Sequence, residues 1–585
     1  MMGNSYIINQ VDVLVIGCGG AGLRAAIAAK LEGANVLILG KRSKLDAHTV
    51  LAAGGINAAF GNVDKEDSWR SHYADTYLEG YGLADPDQIK ILTQEAPSLV
   101  NEIDEWGANL AKLKNGDFDQ RFFGAHKYRR TCYSGDFTGA SIINALIRKS
   151  DDLKIPILDS HYVTDLLIEQ KRCFGAFSFN LKNGERIAHT ATSTIICTGG
   201  HTRIWSKSTS RSNENTGDGL HLALKAGCEL VDMEMVQFHP TGMVAPKEMI
   251  GTLVTEAVRG EGGRLINANG ERFMKNYDYK RMELSTRDRV AYANYTEINE
   301  GRGTCNGGVF LDLTHIEKSK ILEKLPSTFK QFQEAQGIDI SKNPIEVAPT
   351  AHYSMGGIVV NAKSHVTNIQ GLYAAGEVAG GLHGANRLGG NSLAEILVFG
   401  KIVGKSAAEF SRTNQLHISI NPINHANENI NHFLNKKGKE DIKDLQNQLR
   451  TIMWEYCGVS KNEKMLQKGL ENIYILKSKS KNIMIENNKN HFENLRLAMD
   501  LESSLLSANA TLIASLSRKE SRGSHNRDDF KEINKNELCN YIIKKSRTSS
   551  ELSIHRKEIK NIDYEFQKQI NSNFDDFELK DRLLE

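Results

Sequence analysis

The sequence predicts an α/β protein in which an open, largely parallel sheet carries an inserted domain and is followed by a C-terminal helical domain. Three observations support this fold class. The chain begins with a strand–helix–strand pattern, glycine-ended apolar runs return much later, and the composition shifts to Lys, Asn, Glu and Ile after about residue 420. At 585 residues the chain is too long for one compact core, so several domains are expected.

The first elements form a βαβ unit. The β-branched run VDVLVIG at 11–17 predicts a buried parallel strand, and the alanine-rich LRAAIAAKLEGA predicts a helix that ends at a glycine. NVLILG at 35–40 then predicts a second strand. STIICTGG at 193–200 and GLYAAGEVAGG at 371–381 predict further strands of the same sheet, because both end in glycines where a chain meets a ligand.

The middle and the end of the chain have different textures. Residues from roughly 240 to 350 contain turns, charged helices and few long apolar strands, which indicates an inserted domain. Apolar residues recur at helical spacing over 445–476 and 492–516, which predicts a C-terminal helical domain. The last forty residues have the weakest periodicity and are predicted to form a tail.

Composition excludes several classes of protein. A formal net charge of +2 disfavours a dedicated nucleic-acid-binding protein. The eight cysteines contain no C-x-x-C pair, which disfavours a zinc site or an iron–sulfur cluster held by this chain, and no metal site is predicted. No apolar run is long enough to span a bilayer and no secretory signal is evident, so a cytoplasmic location is expected.

The glycines at 17–22, GCGGAG, fit the dinucleotide-binding pattern G-x-G-x-x-G of a Rossmann-like domain, since they follow a strand and open a helix. Gly17 allows a tight turn, Gly19 lets backbone N–H groups approach a pyrophosphate, and Gly22 lets the helix pack close to the strand. The acidic residue that usually follows the second strand in NAD-binding domains is replaced by GKRS at 40–43. This replacement favours a flavin dinucleotide over NAD.

A series of longer motifs follows along the chain: AHTVLAAGGINAAFGN, NTGDG, MEMVQFHPTG, TEAVRGEGG, ELSTRDRV, HYSMGG, AAGEVAGGLHGANRLGGNSL and ESRGSHNRDDF. Together they resemble the flavoprotein subunit of succinate dehydrogenase and fumarate reductase, over about residues 10–530. The resemblance implies a Rossmann-like FAD-binding domain at 1–238 and 352–420 and an α+β capping domain at 239–351 that closes over the flavin. It also implies a helical domain at 421–545, with a tail at 546–585.

The cofactor implied by this resemblance is FAD. His48, in the HT of the first long motif, is implied to join the 8α-methyl carbon of FAD covalently through a ring nitrogen. The other FAD contacts implied are Gly17, Gly19, Gly20, Gly22, Lys41, Ser43, Thr49, Gly54, Gly55, Asp218, Glu377, Ser392 and Leu393.

The substrate implied is a C4 dicarboxylate, succinate or fumarate. The residues implied to surround it are His239, Thr255, His352 and Arg387. Arginine and histidine suit this task because a guanidinium grips a carboxylate in two places and an imidazole donates a directed hydrogen bond. Arg287 is implied to exchange a proton with the substrate carbon while hydride passes to the flavin, with Glu256 relaying that proton to solvent.

Several of these residues have plainer interpretations when each is considered alone. His239 precedes a proline and could be a turn residue, Arg287 could be a solvated helix charge, and His352 could be a core histidine. The presence of every expected position in one chain favours a site. For Arg522 and His525, in SRGSH, we predict a structural role.

The function predicted is that of a succinate dehydrogenase flavoprotein subunit. It would pass electrons from FAD to quinone through a separate iron–sulfur subunit, and its partners would hold it peripherally at the cytoplasmic face of a membrane. A fumarate reductase stays open, because Ala53 stands where dehydrogenases usually carry Gln and fumarate reductases Glu. LDAHT also differs from the usual TRSHT.

Two other classes of protein share parts of the pattern. L-Aspartate oxidase is similar in scaffold but lacks the linking histidine, so His48 counts against it. An FAD-containing tRNA-binding and modifying protein would also open with G-x-G-x-x-G. Near-neutral charge and the dicarboxylate set count against that class.

Overall fold

The computed structural model describes residues 5–485, 491–546, 551–563, 566–568 and 570. Its strands, in chain order, are β1 (Ile7–Ile16), β2 (Val36–Leu39), β3 (Ile56–Asn57), β4 (Gln120–Arg121), β5 (Thr131–Cys132), β6 (Ile157–Leu158), β7 (His161–Glu169), β8 (Arg172–Asn180), β9 (Arg186–Ile196), β10 (Leu230–Val231), β11 (Val236–Met243), β12 (Arg264–Ile266), β13 (Val309–Asp312), β14 (Ile345–Ser354), β15 (Gly357–Ile358), β16 (Leu372–Ala374), β17 (Ser460–Lys461), β18 (Asn526–Arg527), β19 (Cys539–Lys545) and β20 (Leu552–Glu558). Its α-helices are α1 (Gly20–Leu31), α2 (Trp69–Glu79), α3 (Pro86–Ile103), α4 (Thr138–Asp152), α5 (Asp218–Ala226), α6 (Ala257–Gly260), α7 (Arg287–Glu297), α8 (Lys318–Lys324), α9 (Pro326–Gln336), α10 (Asn391–Thr413), α11 (Ile420–Leu434), α12 (Ile442–Tyr456), α13 (Glu463–Lys479) and α14 (His491–Ser517).

The predicted βαβ unit lies at the centre of a seven-stranded sheet of order β6-β2-β1-β9-β8-β7, in which β16 also pairs with β9. β1 pairs in parallel with β2 and β9, and β6 extends the parallel set beyond β2. β16 adds a parallel strand on the far side of β9, whereas β7 and β8 form an antiparallel extension. The α/β fold class is therefore confirmed, and the predicted late strands do return to the first sheet.

Small residues let α1 and α10 pack closely against each other. A Cβ added at Gly404 would lie 2.2 Å from the carbonyl oxygen of Ala25, and one at Gly400 would lie 2.8 Å from the Cβ of Arg24. Such distances leave no room for a larger residue. Near the other end of the contact, Ile396 of α10 packs against Gly20, so both helices begin at the carboxyl edge of the parallel strands.

The inserted region forms its own antiparallel sheet of order β11-β14-β13-β12. Apolar side chains of this sheet pack with α9 through residues such as Leu311 and Phe332. A register shift between His239 and Gly242 interrupts the pairing of β11 with β14. The first turn of α9 is tied to the first domain by Asp136, whose carboxylate accepts the N–H groups of Ser327 and Thr328 at 3.2 and 3.1 Å.

The C-terminal region contains the helices that the apolar spacing predicts, since α12, α13 and α14 coincide with the periodic segments. β19 then pairs with β10 and β20, so this end of the chain returns to the first domain. β20 falls within the predicted tail, as does Phe566, whose ring stacks on Tyr73 at 4.3 Å. The domain boundaries themselves stay predictions. Within the part of the chain that the structure describes, no helix has the length and hydropathy of a membrane span.

Candidate active site

A cavity of about 530 Å³ opens at the carboxyl edge of the parallel strands. Its wall takes residues from the ends of β1, β2, β9 and β16 and from the inserted antiparallel region. All the site residues predicted from the sequence line this wall except Gly22 and Ser43. The structure therefore brings residues from distant parts of the chain to one place, while their individual roles stay predictions.

The glycine loop between β1 and α1 has three different geometries. Gly17 has a φ of +114°, and a Cβ there would lie 2.1 Å from the carbonyl oxygen of Cys197. A Cβ on Gly22 would lie 1.8 Å from the carbonyl oxygen of Gly17, so Gly22 serves the close approach of helix and strand. The atom nearest to a Cβ on Gly19 would be 3.7 Å away, which leaves its backbone bare. This bare backbone at a helix N-terminus fits the pyrophosphate of FAD.

Lys41 supplies a positive charge just after the end of β2. Its Nζ lies 2.9 Å from Asp218 Oδ2 and 3.3 Å from Asp500 Oδ1. Burial opposes the charged form, but the two carboxylates outweigh it and raise the pKa of Lys41. Asp218 begins α5, so a carboxylate reaches this position from a distant helix instead of from the end of β2. Ser43 lies outside the wall, where its hydroxyl accepts the N–H of Leu45 at 3.4 Å.

The remaining predicted FAD contacts lie on the loops around the cavity. The hydroxyl of Thr49 accepts the N–H of Gly20 at 3.2 Å, which joins the HTVLAAGG loop to the start of α1. A Cβ on Gly54 would lie 2.6 Å from the ring of Phe123. Glu377 accepts the N–H of Ser354 at 3.0 Å, and burial raises its pKa. The other members of the set are Gly55, which follows Gly54, and Ser392 and Leu393, which begin α10.

His48 opens a short 3-10 turn, His48–Leu51, and its Nδ1 lies 2.9 Å from Glu214 Oε1. Burial opposes protonation of the ring, yet the hydrogen bond and charge of Glu214 raise the pKa of His48. Arg211 holds the same carboxylate, with its Nη2 3.0 Å from Glu214 Oε2. Sequence reasoning missed Glu214 and Arg211, and the one available signal was that Glu214 immediately precedes the NTGDG motif.

Two guanidinium groups meet at a glutamine on the opposite part of the wall. Arg287 Nη1 and Arg387 Nη2 donate to the same oxygen, Gln237 Oε1, at 3.1 and 3.0 Å. The Gln237 amide nitrogen in turn donates to the carbonyl oxygen of Arg387 at 2.9 Å. Burial, together with the charge of Arg287, lowers the pKa of Arg387 to about 10. The paired cations, one of which also lies 4.3 Å from the Tyr353 ring centroid, suit an anionic ligand.

His239 and His352 form the imidazole part of the site, with ring centroids 5.1 Å apart. Burial is the main cause that lowers both pKa values well below the usual range, and Arg287 adds to it. The backbone N–H of Thr241 donates to His239 Nδ1 at 3.2 Å. In the neutral ring, the proton therefore resides on Nε2, which is the donor available to a ligand.

Glu256 continues the charged chain away from the cavity. Its Oε2 lies 2.6 Å from Arg287 Nε, and its Oε1 accepts the N–H of Gly124 at 3.1 Å and lies 3.8 Å from Arg259 Nη2. Burial alone would raise the pKa of Glu256, but the charges of Arg287 and Arg259 keep it well below its usual range. Thr255, just before it, also lines the cavity. The order Arg287, Glu256, Arg259 can carry a proton between the cavity and the inserted region.

The structure agrees with a structural role for Arg522 and His525. Arg522 Nη1 donates to the carbonyl oxygen of Tyr81 at 2.8 Å, and Nε donates to Glu520 at 2.7 Å. His525 lies 3.4 Å from the carbonyl oxygen of Arg518. Both side chains are buried, and neither lines the cavity.

Sequence profiles of two protein families match the chain. The profile of the FAD binding domain matches residues 12–393, and that of the fumarate reductase flavoprotein C-terminal region matches residues 446–573. One polypeptide of the fumarate reductase (CoM/CoB) of Methanothermobacter marburgensis is 43% identical over 89% of this chain and 95% of its own length. The succinate dehydrogenase flavoprotein subunit of Rickettsia bellii is 36% identical over 93% of this chain and 94% of its own.

Solved structures show the same likeness. FrdA of the E. coli quinol fumarate reductase superposes with a TM-score of 0.91 at 31% identity, covering 95% of this chain and 98% of its own. The likeness extends over the first sheet, the inserted region and the helical region alike.

Proposed function

The chain belongs to the flavoprotein family of succinate dehydrogenases and fumarate reductases and is an FAD-dependent oxidoreductase; from this premise we propose that it oxidises succinate to fumarate. The observation that carries the proposal is the meeting of Arg287, Arg387, His239 and His352 on the wall of the cavity that fits FAD. Two cations and two neutral imidazoles match the two carboxylates of a C4 dicarboxylate.

The binding residues act on the carboxylates. Arg387 pairs with one carboxylate, and His352, His239 and Thr255 donate hydrogen bonds that orient the substrate. Gln237 fixes the two guanidinium groups relative to each other, so little reorganisation is needed when the substrate binds. Bound FAD supplies a two-electron acceptor that takes hydride from one carbon of the substrate.

Arg287 exchanges the proton of the neighbouring carbon. A guanidinium ordinarily holds its proton to a pKa above about 12. Burial and the positive charge of Arg387 beside it favour transient loss of that proton, since like charges in a dry site repel. Glu256, 2.6 Å from Arg287 Nε, restores the charge and passes the proton on toward Arg259.

His48 binds FAD covalently in this proposal. Its ring lines the same cavity as the glycine loop and the rest of the HTVLAAGG segment. A covalent imidazole withdraws electrons and raises the flavin potential, which oxidation of an unactivated C–C bond requires.

Fumarate reduction by the same groups is the second candidate. The similarity to the fumarate reductase (CoM/CoB) of M. marburgensis favours it, and Ala53 on the cavity wall carries no polar group that would separate the two directions. In that direction Arg287 donates the proton and hydride leaves the flavin. L-Aspartate oxidase is the third candidate and is disfavoured by His48.

Partners complete the electron path in this proposal. Electrons leave FAD for a separate iron–sulfur subunit, then for quinone, and these partners hold the chain at the cytoplasmic face of a membrane. The family supports partner subunits generally. No nucleic-acid partner is proposed.

The test measures linkage and direction on the purified chain. We expect the acid-denatured protein to show flavin fluorescence in its gel band, succinate to reduce an artificial dye, and fumarate to oxidise a reduced dye. A dark band from protein purified with FAD would contradict covalent attachment and favour aspartate oxidase. Absence of dye reduction with succinate and of dye oxidation with fumarate, with FAD fully bound, would overturn the dicarboxylate proposal.

A further inference from the structure

A network of charges beside His48 takes no part in binding the dicarboxylate or moving its proton. It joins the loop that precedes His48 to the loop that precedes NTGDG. Arg211 contacts Glu214 through three nitrogen–oxygen pairs between 3.0 and 3.3 Å and also donates to the carbonyl oxygen of Asp46 at 2.6 Å. Its Nη1 and Arg42 Nη2 both pair with the Asp46 carboxylate.

The network fixes the position of the Glu214 carboxylate. The Glu214 side chain is only 7% exposed, and its Oε1 also accepts the backbone N–H of Arg211 at 2.7 Å. A carboxylate held by this many donors is fixed in place and stays ionised, since each donor favours the charged form. Glu214 therefore presents a fixed negative acceptor to His48.

This contact decides which nitrogen of His48 carries the proton. An ionised carboxylate only accepts hydrogen bonds, so the Nδ1 that lies 2.9 Å from Glu214 Oε1 is the donor. The lone pair of the neutral ring then lies on Nε2, at the far edge of the imidazole. Nε2 is thereby prepared to form a bond with carbon.

We propose that Glu214 is a positioning residue that prepares His48 for covalent attachment to FAD. The inference rests on the proposed covalent link. In that step the Nε2–C8α bond forms and one C–H bond of the 8α-methyl group breaks, with its proton going to solvent. The electron pair of that bond stays on the isoalloxazine, which is then reoxidised by dioxygen or by fumarate.

The attached ring keeps its proton on Nδ1 and carries a positive charge when it forms. Glu214 lies against that charge and stabilises it. The other charged groups that face His48 are Glu377 and Arg211, which act in opposite directions, so Glu214 in direct contact dominates. A protonated imidazolium withdraws more electron density than a neutral ring, so Glu214 also raises the flavin potential.

The experiment compares Glu214→Gln with wild type in the full-length chain, with Glu248→Gln as a matched surface control because Glu248 is exposed. Covalent flavin is followed over time by fluorescence of acid-denatured gel bands after FAD is added to protein made without flavin. Bound FAD is followed in parallel by its visible absorbance. We expect Glu214→Gln to bind FAD but to attach it about tenfold to a hundredfold more slowly, the loss typical when a carboxylate that orients a histidine is removed.

A second measurement separates positioning from folding. We expect the covalently attached fraction of Glu214→Gln to have a lower flavin midpoint potential than wild type, and Arg211→Gln, which loosens the carboxylate without removing it, to show an intermediate attachment rate. If wild type attaches flavin and Glu214→Gln attaches it at the same rate, the role of Glu214 is overturned while the function stands. If Glu214→Gln fails to bind FAD, an Arg211→Gln rate equal to wild type would overturn it. A dark wild-type band would overturn both the link and this role.

Discussion

Replacing Arg287 by Ala tests the proposed proton transfer. The guanidinium lies 2.6 Å from Glu256 and 3.1 Å from Gln237, so truncation removes both contacts at once. Glu256 keeps Arg259 at 3.8 Å and is not left without a cation. Breaking a buried ion pair costs about 3–5 kcal/mol, and the remaining cation favours the lower end, about 3 kcal/mol. A domain stability of about 5–15 kcal/mol survives such a loss.

The loss of activity is expected to be larger than the loss of stability can explain. A positioned proton-transfer group contributes about 100-fold to 10,000-fold to the rate. Arg287→Lys keeps a positive charge beside Glu256, so its unfolding temperature falls less, but its ammonium lacks the planar group that bridges Glu256 and Gln237. We therefore expect both variants to lose succinate-dependent dye reduction when the rate is normalised to bound flavin.

The control for this experiment is Arg289→Lys on the same helix. Arg289 pairs with Asp278 at 3.3 Å and lies outside the cavity wall, so near-normal activity is expected. Retention of more than a few per cent of wild-type activity by Arg287→Ala or Arg287→Lys, with FAD fully bound, would refute the essential proton role.

Two further predictions concern substrate binding and pH. Arg387→Met is expected to raise the KM for succinate about tenfold to a hundredfold, because hydrogen bonds to charged groups are worth about 1.5–3 kcal/mol; an unchanged KM in steady-state assays would contradict the binding role. His189 is buried away from the cavity, mainly for which reason its pKa falls to about 4. Below its ordinary pKa of about 6.5 the unfolded chain takes up this proton and the folded chain does not, so stability falls with pH down to about 4. Replacing it in His189→Gln should therefore flatten the fall in unfolding free energy by about 1 kcal/mol per pH unit near pH 5.5, measured by denaturant titration; parallel curves for variant and wild type would show that this histidine does not contribute.

Local sequence was sufficient for the βαβ unit and the glycine loop. Each rests on residues that are neighbours in the chain, such as the apolar run of β1 and the glycine whose φ of +114° no larger residue favours. The candidate residues of the cavity wall were also identified in advance, because their motifs resemble those of a known family. Only Gly22 and Ser43 fall outside the wall.

Tertiary structure alone decided which of these residues touch. The carboxylate that pairs with Lys41 comes from Asp218, far along the chain, although the sequence shows no acidic residue after β2. Gln237 joins Arg287 to Arg387, and Glu214 orients His48, yet none of these contacts has a signature in local spacing. Periodicity and turn chemistry act over a few residues, whereas ion pairs between buried side chains depend on how strands and helices are brought together. The sequence by itself therefore determined the fold class and the chemistry available to this protein, and packing decided the partners of each charged group.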